Sequence, residues 1–273
     1  MPRSSRLRPA PGPDLRLQPL PGLPGGIVEI AAAADGVAER VAGLLLQALE
    51  TGAPVGLATG RTMQPVYAAL RRQFGHWSEP RRQQLLARWC SFNLDEYAGL
   101  GAADPGSFAA EMVAALVQPL GLAPGRLQLP NGLAADPNAE ARRYASAVAA
   151  AGGITLQLLG LGSNGHVGFN EPPCPADAAC RWVELSAATR RQNAAAFGAD
   201  PAAVPERAIT LGTADILAAR QVLLVVTGEA KAEILRRTLQ EAPDPAVPAS
   251  WLQTHPRLRV VLDAAAASAL RLS

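Results

Sequence analysis

The 273 residues are 49% hydrophobic and 18% charged, a globular composition that excludes disorder throughout. No apolar run approaches the roughly 18 residues of a membrane span, so a soluble chain with no membrane partner is expected. The formal charge of +2 gathers in residues 1–26, and the remaining 21 basic and 22 acidic residues give no electrostatic reason to expect nucleic acid as a partner.

Residues 1–26 hold seven prolines and close on Gly25-Gly26, without a periodic apolar pattern, and read as a flexible Pro/Arg-rich leader. They lack both the apolar core of a signal peptide and an unbroken amphipathic transit helix. From Ile27 short apolar runs alternate with longer amphipathic ones. Strands are predicted at 27–30, 55–58, 89–94, 126–129, 154–161, 222–226 and 259–262. Helices are predicted at about 36–50, 64–73, 108–117, 139–151 and 230–239. With no repeat and no further linker, residues 27–273 read as one α/β domain. The expected form is an open, doubly wound, mainly parallel sheet with helices on both faces, Rossmann-like, whose ligands sit beyond the carboxyl ends of the strands. Three cysteines (Cys90, Cys174, Cys180), odd in number and without a repeated pair spacing, fit free thiols in a reducing compartment, so a cytoplasmic location is expected.

Three segments carry residue types suited to chemistry. Gly56-Leu57-Ala58-Thr59-Gly60-Arg61-Thr62 runs from a strand through small and hydroxyl residues into a helix. Taken by itself this is an ordinary tight turn; it also has the form of a phosphate cradle, with backbone N–H groups and two hydroxyls as donors. In Phe92-Asn93-Leu94-Asp95-Glu96-Tyr97 a strand ends in two carboxylates whose side chains diverge. One should face the cleft and the other a helix N-terminus or a salt bridge. In Leu158-Leu159-Gly160-Leu161-Gly162-Ser163-Asn164-Gly165-His166-Val167-Gly168-Phe169-Asn170-Glu171-Pro172 a buried strand opens into a glycine-rich loop. There Glu171 is expected to hold the His166 imidazole in one tautomer and raise its basicity, the arrangement of a proton shuttle near neutral pH. No metal-ligand cluster, Cys-x-x-Cys pair or dinucleotide fingerprint is present, so neither metal nor cofactor is expected. His255 reads as structural and Tyr97 as packing beside the loop.

Together with Gly228-Glu229-Ala230-Lys231 and Pro248-Ala249-Ser250-Trp251-Leu252-Gln253-Thr254-His255-Pro256, these segments occur in the order seen in glucosamine-6-phosphate deaminases. The chain resembles that family from about residue 27 to 263. The resemblance implies an open α/β fold and the conversion of glucosamine 6-phosphate and water to fructose 6-phosphate and ammonia, an aldose–ketose isomerisation with hydrolytic deamination. By the same resemblance Asp95 is the base that moves a proton between C2 and C1, and His166 opens the pyranose ring with Glu171 in support. Thr59, Gly60 and Thr62 form the phosphate loop, and Lys231, the chain's single lysine, binds the phosphate.

Two departures stand out against that family. Asn164, grouped with Asp95, His166 and Glu171 as a catalytic residue, occupies a position where members carry either aspartate or asparagine, so support of His166 rests on Glu171. After Asn193, where the family's lid has an arginine that grips the phosphate, this chain has Ala194-Ala195-Ala196-Phe197, with Ala195 in the arginine's place. Arg61 is the expected replacement, ahead of Arg190 and Arg191. A 6-phosphogluconolactonase-like hydrolase and a deaminase of another hexosamine 6-phosphate are the enzymatic rivals, and a non-catalytic sugar-phosphate sensor is a third reading. The C4 epimer of the sugar and association of the chain with copies of itself stay open.

Overall fold

The computed structural model describes residues 15–19 and 26–271. In chain order the strands and helices are β1 (Leu15–Pro19), β2 (Ile27–Ala31), α1 (Ala34–Glu50), β3 (Val55–Leu57), α2 (Met63–Gly75), α3 (Glu79–Arg88), β4 (Ser91–Asn93), β5 (Asp95–Tyr97), α4 (Phe108–Met112), α5 (Gln118–Leu120), β6 (Leu127–Gln128), α6 (Pro137–Ala150), β7 (Leu156–Gly160), β8 (Arg181–Glu184), α7 (Ala187–Asn193), β9 (Arg207–Thr210), α8 (Thr213–Leu217), β10 (Gln221–Val226), α9 (Ala232–Gln240) and β11 (Leu258–Asp263). A π-helical segment, Val113–Val117, joins α4 to α5.

The main sheet has the order β1-β2-β11-β10-β7-β3-β4-β6. Every pairing from β2 to β6 is parallel, and β1 closes one edge antiparallel to β2, with Arg16 opposite Ile30. The leader expected to be flexible throughout therefore contributes a strand, and its other residues lie outside those described apart from Gly26. The period-2 alternation of strand side chains divides the apolar residues between two cores. Leu158, Leu223, Val225 and Val261 face one, with the α1 stripe Val37, Val41, Leu45 and Leu49. Leu159, Val222, Leu224 and Val260 face the other, with Leu235 and Leu239 of α9. Covering helices on both faces are what a sheet of such apolar strands requires.

A second, three-stranded antiparallel sheet, β5-β9-β8, starts one residue after β4 ends. Asp95 pairs with Thr210 and Glu96 with Ile209, so the chain leaves the parallel sheet at Leu94 and enters the small one at once. The carboxylate pair thus sits where the two sheets meet. No helix among the described residues is long and apolar enough to cross a membrane.

Candidate active site

The loops after β3, β4 and β7 and the turn after β10 converge on one cavity of about 490 Å3. Of the residues expected at a site, Thr59, Gly60, Arg61, Thr62, Asp95, His166 and Lys231 all line it. Tyr97, Glu111, Gln192, Asn193, Ala195 and Ala196 line it as well.

The loop after β3 turns through Gly60, whose φ of +103° lies in the region that L side chains rarely adopt. Thr62 occupies the N-cap of the thirteen-residue α2 without capping it through its side chain, which leaves the hydroxyl for a ligand, while the Met63 N–H is already taken by the Gly60 carbonyl at 2.8 Å. Arg61 is exposed on this loop. Lys231 approaches across the cavity wall from the 3-10 turn Glu229–Lys231. Burial lowers its proton affinity, and the nearby Arg61 charge lowers it further. Two cations held near each other, neither in an ion pair among the described residues, form a ready anion site. The Gly60 N–H is not a free donor: it donates to Glu111 Oε1 at 3.1 Å.

Asp95 and Glu96 diverge as alternation along a strand requires. Glu96 accepts from the backbone N–H groups of Tyr97 at 2.8 Å, Phe108 at 3.0 Å and Ala109 at 2.7 Å, so it caps the N-terminus of α4. Asp95 is buried on the cavity wall. Burial raises its proton affinity well above the ordinary aspartate value, and the like charges of Glu96 and Glu111 raise it further.

The glycine-rich loop after β7 folds back on itself. The fully buried Asn170 pins it by donating through Nδ2 to the carbonyls of Val167 at 3.0 Å and Leu211 at 2.9 Å. A Cβ at Gly162 would lie 2.3 Å from the His166 ring, so only glycine lets the strand end approach the imidazole. Asn164 shapes the turn, its Oδ1 accepting from the His166 N–H at 3.2 Å, and is not among the cavity-lining residues.

Two expectations about His166 need correction. Glu171 makes no hydrogen bond to the ring: its Oε1 accepts from the Ser186 N–H at 3.0 Å, and it lines an adjoining hollow with Arg181 and Ser186. His166 Nδ1 is sealed from solvent with no partner among the described residues. Nor does the ring titrate near neutrality. Burial, only partly opposed by the Glu171 charge and assisted by Lys231, pushes its pKa down to about 4, so the unliganded imidazole is neutral.

A lid covers the site. Ser186 caps α7 by accepting from the Thr189 N–H at 3.1 Å, and α7 runs into the 3-10 turn Ala194–Phe197. Ser163 Oγ donates to Gln192 Oε1 at 2.8 Å, and Asn193 Nδ2 donates to the Tyr97 hydroxyl at 2.8 Å. Phe197 stands edge-on to Tyr97 at 5.5 Å between centroids. Tyr97 is therefore the post on which the lid rests. Arg190 pairs with Glu206 at 3.6 Å, Arg191 is exposed, and neither lines the cavity. His255 is structural: its Nε2 lies 2.8 Å from the Ala219 carbonyl oxygen, and its Nδ1 accepts from the Arg257 N–H. Among the described residues no group of three or more His, Cys, Asp or Glu is arranged to hold a metal ion, and none of the three cysteines forms a disulfide.

Residues 29–261 match the family described as glucosamine-6-phosphate isomerases/6-phosphogluconolactonase. A glucosamine-6-phosphate deaminase of Rhodopirellula baltica is 41% identical over 254 residues, covering 90% of this chain and 98% of that protein. One of Streptomyces avermitilis is 39% identical over 247 residues, with 90% and 92% covered. Among solved structures, a monomeric glucosamine-6-phosphate deaminase superimposes with a TM-score of 0.83 at 34% identity, covering 89% of this chain and 99% of that one. A 6-phosphogluconolactonase from Trypanosoma cruzi, at a TM-score of 0.70, 18% identity and 89% and 96% coverage, shares the fold. The chain belongs to the family of glucosamine-6-phosphate isomerases and 6-phosphogluconolactonases.

Proposed function

We propose that this chain converts glucosamine 6-phosphate and water to fructose 6-phosphate and ammonia. The observation that carries the reading is that one cavity joins a buried carboxylate, Asp95, a neutral imidazole, His166, and two cations, Arg61 and Lys231, with neither Asp95 nor the cations in an ion pair among the described residues. The relatives at about 40% identity named as glucosamine-6-phosphate deaminases support it.

The phosphate dianion binds between Arg61 and Lys231, with the Thr59 and Thr62 hydroxyls as further donors. Neutral His166 takes the proton from O1 and returns one to O5, which breaks the C1–O5 bond and frees the aldehyde. The Asp95 carboxylate then removes the C2 proton. The electron pair forms the C1–C2 double bond of an enolamine while O1 takes a proton from water, which is given back to solvent when the C2 iminium is hydrolysed. Asp95 returns its proton to C1, C2 becomes an iminium, water adds there, and ammonia leaves as the ketone forms. The high proton affinity of Asp95 suits this step, because a more basic carboxylate removes a carbon-bound proton more readily.

A lactone hydrolysis would need only an activated water and would leave Asp95 without a task. The two readings separate on a panel of glucosamine 6-phosphate, galactosamine 6-phosphate and 6-phosphogluconolactone. The expected result is ammonia and fructose 6-phosphate from the first, while ammonia with tagatose 6-phosphate from the second would show that the C4 epimer is also accepted. Rapid lactone opening without ammonia release from either amino sugar would overturn the proposal.

A further inference from the structure

Glu111 has no part in the chemistry above, yet it lines the same cavity and reaches the phosphate loop. It sits near the end of α4, just before the chain slips into the π-helical segment Val113–Val117. Its Oε1 accepts from the Gly60 N–H at 3.1 Å, at the middle of the phosphate loop and directly before Arg61. Its charge also acts on Asp95, Glu96 and Tyr97 on β5 and on Tyr67 of α2. Tyr67 donates through its hydroxyl to the Ala58 carbonyl at the start of the same loop.

We propose that Glu111 is a positioning residue that ties the phosphate loop to the wall carrying Asp95, bracing Arg61 for the phosphate and setting a second carboxylate in the cavity that holds Asp95. The proposal rests on the reading of Asp95 and Arg61 given above.

The groups facing the two carboxylates are few. Asp95 has Glu96 beside it on its own strand, Glu111 from α4, and the phenols of Tyr97 and of Tyr144 from α6. Glu111 has Asp95, Glu96, Tyr97 and Tyr67. Among the described residues neither forms an ion pair with a cation. Burial raises the proton affinity of Glu111, opposed only by the Gly60 hydrogen bond, so the site retains a second basic carboxylate without a counterion.

Two substitutions separate the two halves of the role. In Glu111→Gln the amide oxygen can still accept from Gly60, so KM should stay within about threefold. The lost charge should lower the proton affinity of Asp95 and move the acid limb of the kcat/KM profile to lower pH. In Glu111→Ala the loop loses its brace, and KM for the phosphosugar should rise about tenfold, the value of one hydrogen bond. An acid limb that does not move in Glu111→Gln overturns the electrostatic half, and an unchanged KM in Glu111→Ala overturns the bracing half. Both halves can also be read without turnover, by the dissociation constant of inorganic phosphate measured calorimetrically and by the Asp95 carboxyl titration followed by carbon-13 NMR. Phosphate affinity and Asp95 titration that stay fixed in both variants refute the proposal even if glucosamine 6-phosphate proves not to be the substrate. An inactive wild-type enzyme refutes the functional reading alone. Should Glu111→Ala fail to fold, Glu111→Leu supplies the same loss of an acceptor in a bulkier side chain.

Discussion

Asp95 and Glu96 are adjacent acids with different tasks: Glu96 caps α4 through the Phe108 and Ala109 N–H groups, and Asp95 is buried on the cavity wall without an ion pair among the described residues. Alternation along a strand made that divergence legible in the sequence, although not which acid faced inward. The glycine-bearing turn after β3 and the single lysine among 24 arginines were legible as features, while the phosphate-binding role proposed for them came from the family resemblance. Glu111 was not, because a glutamate on a short helix looks like any solvated residue until the fold lays it against Gly60. The hydrogen bond expected from Glu171 to the His166 ring failed for a similar reason: five residues of separation do not determine which way a loop carboxylate turns, and it turned to the Ser186 N–H, so its effect on the ring is by charge alone. On the present account Arg61→Ala should raise KM by about 10- to 100-fold, the equivalent of roughly 1.5–3 kcal/mol for a charged hydrogen bond. Arg190→Ala and Arg191→Ala, outside the cavity, should change it little, and steady-state kinetics on the three variants checks this ranking. The His166 ring offers a pH test. Its pKa of about 4 is depressed partly by Lys231, so a phosphate dianion that offsets the lysine charge should raise it. An imidazole NMR titration with and without inorganic phosphate should show the upward shift, and an unmoved pKa would separate His166 from the phosphate site.

At the level of elements, the alternation of apolar runs foretold the parallel strands and their long helices because those segments bury a full face or stripe. The expected helix at 36–50 is observed at Ala34–Glu50, and the expected strand at 222–226 at Gln221–Val226. Three elements that the pattern missed have identifiable physical causes. Helix α3 buries only Leu85, so it shows no apolar stripe. The small sheet is made of three- and four-residue strands, and its β5–β9 pairing spans more than a hundred residues, Asp95 with Thr210, so it has no local signature. Strand β1 lies in a proline-rich segment, where one edge pairing suffices because an edge strand tolerates prolines. The lid is the element whose stability should be most separable. It leans on Tyr97 through Phe197 and Asn193, while the central strands lie inside two cores. Phe197→Ala should therefore speed amide hydrogen exchange across residues 187–197 and leave β7 and β10 protected. Faster exchange in those strands as well would show that the lid and the core open as one unit.

For the molecule as a whole, the site follows from topology. Parallel strands β3, β4, β7 and β10 all end on the same side, so the loop or turn that follows each one meets there, as expected for an open α/β sheet. The small antiparallel sheet then supplies what the parallel one lacks, a wall carrying Asp95 and a support for the lid. The central claim is that this wall transfers a proton between two carbons of an amino sugar phosphate. It is tested most directly by running wild type and Asp95→Asn on glucosamine 6-phosphate in deuterated water and measuring ammonia, fructose 6-phosphate and the position of deuterium. Wild type should give ammonia and fructose 6-phosphate in equal amounts, with any carbon-bound deuterium confined to C1, in the fraction of turnovers in which the proton on Asp95 exchanges with solvent before it reaches C1. Asp95→Asn should turn over roughly a hundredfold or more slower, as for loss of general acid–base catalysis, with phosphate binding retained. Ammonia release at near-normal rate from Asp95→Asn, or no fructose 6-phosphate from the wild type, would contradict the account.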